Sequence, residues 1–104
     1  MRSRMDLHRD LVGIMDSPNK GHVYFQPPDG TKIQYPAIIY NLENLHRRFA
    51  DDKPYIKHDA YLVTIIDKDP ESEIVKRLNE WTMVSFDRFY AKDNLNHWAF
   101  LVYN

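Results

Sequence analysis

The sequence predicts an α+β fold: a mostly antiparallel sheet of four to five strands flanked by two helices, in the order α-β-β-β-α-β-β, with a projecting β-hairpin. Three observations predict it. Leu7, Leu11 and Ile14 or Met15 recur at the spacing of an amphipathic helix. Two apolar runs, Tyr35–Tyr40 and His58–Asp67, bracket a charged stretch ending in Ala50-Asp-Asp-Lys-Pro54, the pattern of a long hairpin with a polar tip. Two more β-prone runs, Met83–Tyr90 and Leu95–Tyr103, close the chain around Ala91-Lys-Asp-Asn94.

Taken in order, the first helix covers about Ser3 to Met15, with Ser3 or Asp6 as cap and Arg4, Arg9 and Asp10 on the polar side. Asp16-Ser-Pro-Asn-Lys-Gly21 is rich in turn formers and ends it. His22–Gln26 reads as a short strand, stopped by Pro27-Pro-Asp-Gly30, where proline presets a negative φ and glycine accepts a positive one. Ala37–Tyr40 is fully apolar, which suits a central strand, and Pro36 stands at its entrance, where no ladder donor is required. From His58 to Asp67, Tyr61, Val63 and Ile65 alternate with Ala60, Leu62, Thr64 and Ile66. Both faces of that strand are apolar enough to call for a layer on each side. The second helix is expected to start with Asp69 as N-cap and Pro70 at the first helical position, and to bury Ile74, Val75, Leu78 and Trp81. The terminal run Trp98–Tyr103 reads as a core strand; at a sheet edge its unpaired backbone would be a template for another chain.

Composition narrows the function classes. The 104 residues fit one domain, 1–104, and at 43% apolar and 13% aromatic they hold ample material for a core. Fourteen basic and fifteen acidic residues leave a net charge of −1, which provides no general attraction to nucleic acid or to an anionic membrane. The absence of cysteine excludes disulfides, thiolate metal sites and cysteine nucleophiles. The start of the chain lacks the apolar stretch of a signal peptide and no run approaches the roughly 18 apolar residues of a membrane span, so the product is expected to stay where it is made.

No catalytic constellation emerges. His8, His22, His46, His58 and His97 neither pair at ligand spacing nor sit in His-x-His, so no metal site is expected, and His97 beside Trp98 reads as a hydrogen-bonded sheet residue. Asp67, Asp69, Glu71 and Glu73 are close together, but a helix start prefers acidic groups and accounts for them without chemistry. No phosphate loop, nucleophile elbow or nucleophile–base pair can be picked out, so neither an enzyme nor a cofactor is expected. Arg47, Arg48, Asp51, Asp52, Lys53 and Tyr55 at the hairpin tip form the candidate interaction site. Mixed charge on a tip is often only a solvated loop. Contact with a neighbouring subunit suits Arg and Tyr, and a nucleic-acid-binding module using Arg47, Arg48, Phe49 and Tyr55 is the alternative.

Tyr35-Pro-Ala-Ile-Ile-Tyr40, Phe49-Ala-Asp-Asp-Lys-Pro-Tyr55, Tyr61-Leu-Val-Thr-Ile-Ile-Asp-Lys-Asp-Pro-Glu-Ser-Glu-Ile74, Phe86-Asp-Arg88 and Asp93-Asn-Leu-Asn-His97 together resemble a family of small bacteriophage virion proteins encoded among head and tail genes. More loosely the chain resembles tail terminator (tail completion) and head–tail joining proteins. The resemblance implies a non-enzymatic subunit made in the host cytoplasm that assembles with itself into a closed ring, commonly a hexamer. The ring would sit at the head–tail junction between the tail tube and head connector proteins, with DNA only as cargo and no membrane partner. By position in the hairpin, Arg47, Arg48, Asp51, Asp52, Lys53 and Tyr55 would contact the neighbouring subunit or the tube. The small size leaves little room for the long extra loops of larger terminators.

Overall fold

The computed structural model describes residues 2–45 and 59–104. They form α1 (Arg4–Gly13), β1 (Val23–Phe25), β2 (Ala37–Leu45), β3 (Asp59–Asp67), α2 (Glu73–Asn79), β4 (Val84–Lys92) and β5 (Leu95–Tyr103), the order expected from the sequence. The five strands make one sheet in the spatial order β1-β2-β3-β5-β4. β2–β3, β3–β5 and β5–β4 pair antiparallel, whereas β1 pairs parallel to β2.

α1 starts where its side chains can satisfy the orphan amides. Ser3 Oγ accepts from Asp6 N–H at 3.2 Å and an Asp6 carboxylate oxygen accepts from Ser3 N–H at 2.9 Å, a reciprocal capping box. The other end is closed by two cations from elsewhere in the chain. Lys20 Nζ donates to the Met15 carbonyl at 2.8 Å, and Arg77 donates to the Ile14 carbonyl at 2.8 Å while pairing with Asp16 at 3.1 Å. Both meet the negative end of the helix dipole, and the second ties α2 to α1.

The second helix corrects the sequence expectation. It begins after Ser72, not at Asp69–Pro70. Asp67 and Asp69 each turn their carboxylate onto the amide two residues ahead, at 3.0 and 2.9 Å, so Asp69 builds a local turn rather than a cap. Ser72 stands at the N-cap without a capping bond, its Oγ buried and unpartnered.

Two turns follow their chemistry. Gly30 adopts φ +87°, and Thr31 N–H donates to the Pro28 carbonyl at 3.1 Å, closing the expected Pro-Asp-Gly reversal. Asp93 and Asn94, at φ 54° and 63°, make the two-residue link between β4 and β5, a left-handed pair whose twist matches a hairpin.

The core lies on one side of the sheet. Leu7, Leu11 and Met15 meet Ile74 and Leu78 over Ile38, Tyr40, Val63, Ile65, Phe100 and Val102 in a single cluster. The register places those strand residues on a common face: Ile38 opposite Ile65, Tyr40 opposite Val63, Val63 opposite Phe100. Both helices therefore cover the same face, which corrects the expectation of a layer on each side; among the described residues no helix packs on the other. β2 also runs further than its apolar segment suggests. It continues through Asn41 to Leu45 because a register shift between Leu42 and Asn44 lets the strand keep pairing with Tyr61, Ala60 and Asp59. Finally, β5 lies inside the sheet, and the open edge at that end belongs to β4.

Two contrasts test this packing by urea denaturation. Leu11→Ala, at a fully buried position between α1 and the sheet, is expected to cost about 2–5 kcal/mol. Ser3→Ala is expected to cost about 0.5–2 kcal/mol through the lost capping bond, whereas Ser72→Ala, which breaks no hydrogen bond, is expected to stay within about 0.5 kcal/mol of wild type.

Candidate interaction surfaces

The hairpin-tip residues Arg47, Arg48, Asp51, Asp52, Lys53 and Tyr55 lie outside the described residues, as do Phe49, His46 and His58. The chemistry visible in the structure lies in four places elsewhere.

The first is a polar and aromatic cluster around Tyr40, a wholly buried residue on β2. Its hydroxyl lies 2.7 Å from His8 Nδ1 and accepts from Arg4 at 3.0 Å. Arg4 also stands over the Phe25 ring at 4.4 Å, and Phe25, Tyr40 and Tyr61 pack ring against ring at 5.0–6.5 Å. Burial, and then the Arg4 charge, hold the His8 imidazole below its ordinary pKa. In the neutral ring Nδ1 accepts the Tyr40 proton, and the Arg4 donation satisfies the phenol oxygen. The cluster thus anchors α1 to β2 with every buried polar atom paired. Burial, reinforced by Asp59, raises the Tyr61 phenol. The sequence displayed this cluster only as one helix face and one strand face; nothing in residue spacing joins His8 to Tyr40.

The second is a recess of about 600 Å³ between α1, the 80–83 segment and the end of β5, with Leu7, Trp81 and Met83 among its lining. Most of its charges are engaged: Arg2 pairs with Asp10, and Arg9 with Asp6 at 2.9 Å, while Glu80 also lines it. Arg2 also donates to Asn104, whose amide in turn donates to the Ser3 carbonyl at 3.0 Å. The recess is a seam that joins the start of α1 to the end of β5.

The third is the helix-free face of the sheet. By register it carries Ile39, Thr64 and Ala99 in one row, Asn41, Leu62 and Leu101 in the next, and Ile66 beside His97. Ile39, Leu62 and Leu101 are only half-buried. A sheet face meant only for water would be polar throughout, whereas this one mixes Thr64, Asn41 and His97 with Ile39, Leu62, Leu101 and Ile66.

The fourth is the edge strand β4, exposed along nearly its whole length. Met83 just before it, and Phe86, Phe89 and Tyr90 within it, are 46%, 53%, 51% and 41% exposed, so large apolar side chains stand at a strand whose outer edge is unpaired. The sequence reading of the terminal run as a core strand holds, since β5 lies between β3 and β4, but it does not single out the preceding run as the edge. Adjacent hairpin strands look alike in sequence, and only the pairing of β5 with β3 decides which of the two lies outside.

Among the described residues the histidines have structural partners. His22 Nδ1 lies 3.0 Å from the Pro36 carbonyl; His97 Nδ1 lies 3.2 Å from the Leu95 carbonyl, its ring stacked on Tyr90 at 4.6 Å, as expected for a sheet histidine. Among the described residues no three His, Asp or Glu side chains gather as metal ligands, and no helix is long and apolar enough to cross a membrane. Compared with protein-family models, curated proteins and solved structures, the chain matches none.

The His8 cluster sets a pH dependence. Because folding lowers the imidazole pKa, the unfolded chain takes up the proton first on acidification. Its stabilisation is complete above about pH 6.5 and is lost as pH falls through the lower folded value. The urea midpoint is expected to drop between pH 7.5 and 5.5, and His8→Gln is expected to flatten that drop; equal slopes in both proteins would show that His8 does not carry it.

Proposed function

We propose that the chain is a non-enzymatic structural subunit of a bacteriophage virion, of the tail terminator or head–tail joining type, that associates with copies of itself into a closed ring, a hexamer on the resemblance. The observation that carries the self-association is the helix-free sheet face, where Ile39, Leu62 and Leu101 stand half-buried with no helical layer over them among the described residues. Half-exposed apolar side chains of this kind, interspersed with Asn41 and Thr64, suit a face that meets another protein. The family resemblance of the sequence supplies the virion context and the partners, tail tube and head connector.

A ring follows from a simple geometric need. A small domain that joins a different surface of its neighbour closes on itself when the rotation between copies divides a full turn, and so encloses a channel. In this reading the helix-free face is one half of that contact. Arg47, Arg48, Asp51, Asp52, Lys53 and Tyr55 at the hairpin tip reach the adjacent subunit or the tube. Balanced charge suits the role, since DNA passing through such a channel must not be held by its wall.

Light scattering on the 12.5 kDa chain, alone and with its tail-tube protein, tests the reading. A ring-sized species in either condition is expected, and Leu62→Lys is expected to abolish it while leaving the circular dichroism spectrum unchanged. Absence of any ring-sized species in both conditions would remove the ring.

A further inference from the structure

The edge strand β4 has an unusual internal symmetry. Its register with β5 shifts between Phe86 and Arg88, so that Phe86 lies opposite Phe100 and Phe89 opposite Trp98. Three positions on β4 therefore span two on β5, and Asp87 is the extra residue. In a regular strand, residues three apart face opposite ways. Here the bulge brings Phe86 and Phe89 onto one face, where their rings pack on Phe100 and Trp98, each at 5.4 Å.

The backbone follows the same pattern. Tyr103 N–H donates to the Met83 carbonyl, so the Val84–Val102 pair is one whose own backbone groups point away from each other. Alternation then turns the amide and carbonyl of Phe86 outward as well. Counting back from the two-residue turn at Asp93 and Asn94, Lys92 bonds with Leu95, and the amides and carbonyls of Ala91 and Phe89 point outward. Val84, Phe86, Phe89 and Ala91 thus present their hydrogen-bonding groups at the open edge of the sheet.

We propose that this edge pairs with the β4 edge of a second copy, antiparallel about a two-fold axis between Asp87 and Arg88, with Phe86 opposite Phe89 of the other copy and Val84 opposite Ala91. Each outward-facing residue then meets another outward-facing residue, which gives on the order of eight backbone hydrogen bonds. The aromatic row Phe100, Phe86 of one copy continues into Phe89, Trp98 of the other, which covers the two most exposed phenylalanines among the described residues. On the opposite face Asp87 stands across from Arg88 of the partner copy and Arg88 across from Asp87, joining the 2.9 Å pair already formed within each strand into a cluster of alternating sign.

Bulges and charges are also devices that block edge pairing. In β4 they select one register instead. A slip of one residue sets Asp87 against Asp87 or Arg88 against Arg88, and turns outward amides onto inward ones. The two-fold contact does not rest on the ring reading, because a ring closes through two different patches whereas this pair uses the same patch twice.

Sedimentation of the full chain from about 1 µM to about 1 mM, combined with hydrogen exchange, tests the pair. Wild type is expected to shift from monomer towards dimer with concentration, and the Phe86 and Phe89 amides, open in the monomer, are expected to become protected as it does. Asp87→Arg or Arg88→Asp alone gathers four like charges at the axis and is expected to weaken the dimer about tenfold or more. The double exchange Asp87→Arg/Arg88→Asp restores opposite signs and is expected to return affinity to within about threefold of wild type. A chain that stays monomeric throughout, a dimer whose Phe86 and Phe89 amides remain open, or single reversals without effect would overturn the proposal. A ring with open β4 amides overturns this pair and leaves the ring reading intact, while the expected dimer without a ring does the reverse.

Discussion

A five-stranded sheet needs more cover than helices of ten and seven residues can provide, and the placement of both on one face governs the rest of the molecule. That shared face gathers the large buried side chains into a single cluster, which is how a chain of this length concentrates its apolar burial in one core. The contact is held at its far end by Arg77, which reaches from α2 to the last carbonyls of α1 and so converts an unsatisfied helix terminus into a link between helices. Near the other end, the buried Tyr40 hydroxyl is satisfied from α1 by Arg4 and His8. Apolar contact supplies the attraction, and these polar links fix where along the sheet the helices rest.

The cost of a one-sided layer is exposure elsewhere. Ile39, Leu62 and Leu101 lie on the face that no described helix covers, and Phe86 and Phe89 stand exposed on the edge strand β4. A protein that acted alone would gain solubility from polar residues at these positions. Retaining apolar ones fits a subunit whose burial is completed by association. The two surfaces differ in kind: the sheet face offers side-chain area without direction, whereas the β4 edge offers directed backbone groups whose spacing is set by the bulge at Asp87.

Much of the local chemistry, decided by residues a few positions apart, was legible. A cap at Ser3 or Asp6, the Pro-Asp-Gly turn, the reversal within Ala91–Asn94 and the period-two alternation of β3 were all readable because each depends on near neighbours. The α2 start was misread for a local reason of its own. Asp69-Pro70 has the composition of a helix start, but a carboxylate that bonds to the amide two residues ahead builds a turn equally well, and the chain uses two such turns before entering the helix.

By itself the sequence determined the element order, the α+β class and the absence of cysteine chemistry, because hydrophobic period and composition are properties of the chain alone. The tertiary structure decided that β1 runs parallel to β2, that both helices share a face, that β5 is interior and β4 is the edge, and that His8 meets Tyr40. Each of these is a choice of partner between segments distant in sequence. An alternating strand carries two usable faces and two usable edges, and nothing in its own residues states which of them another element will cover until the whole core is assembled.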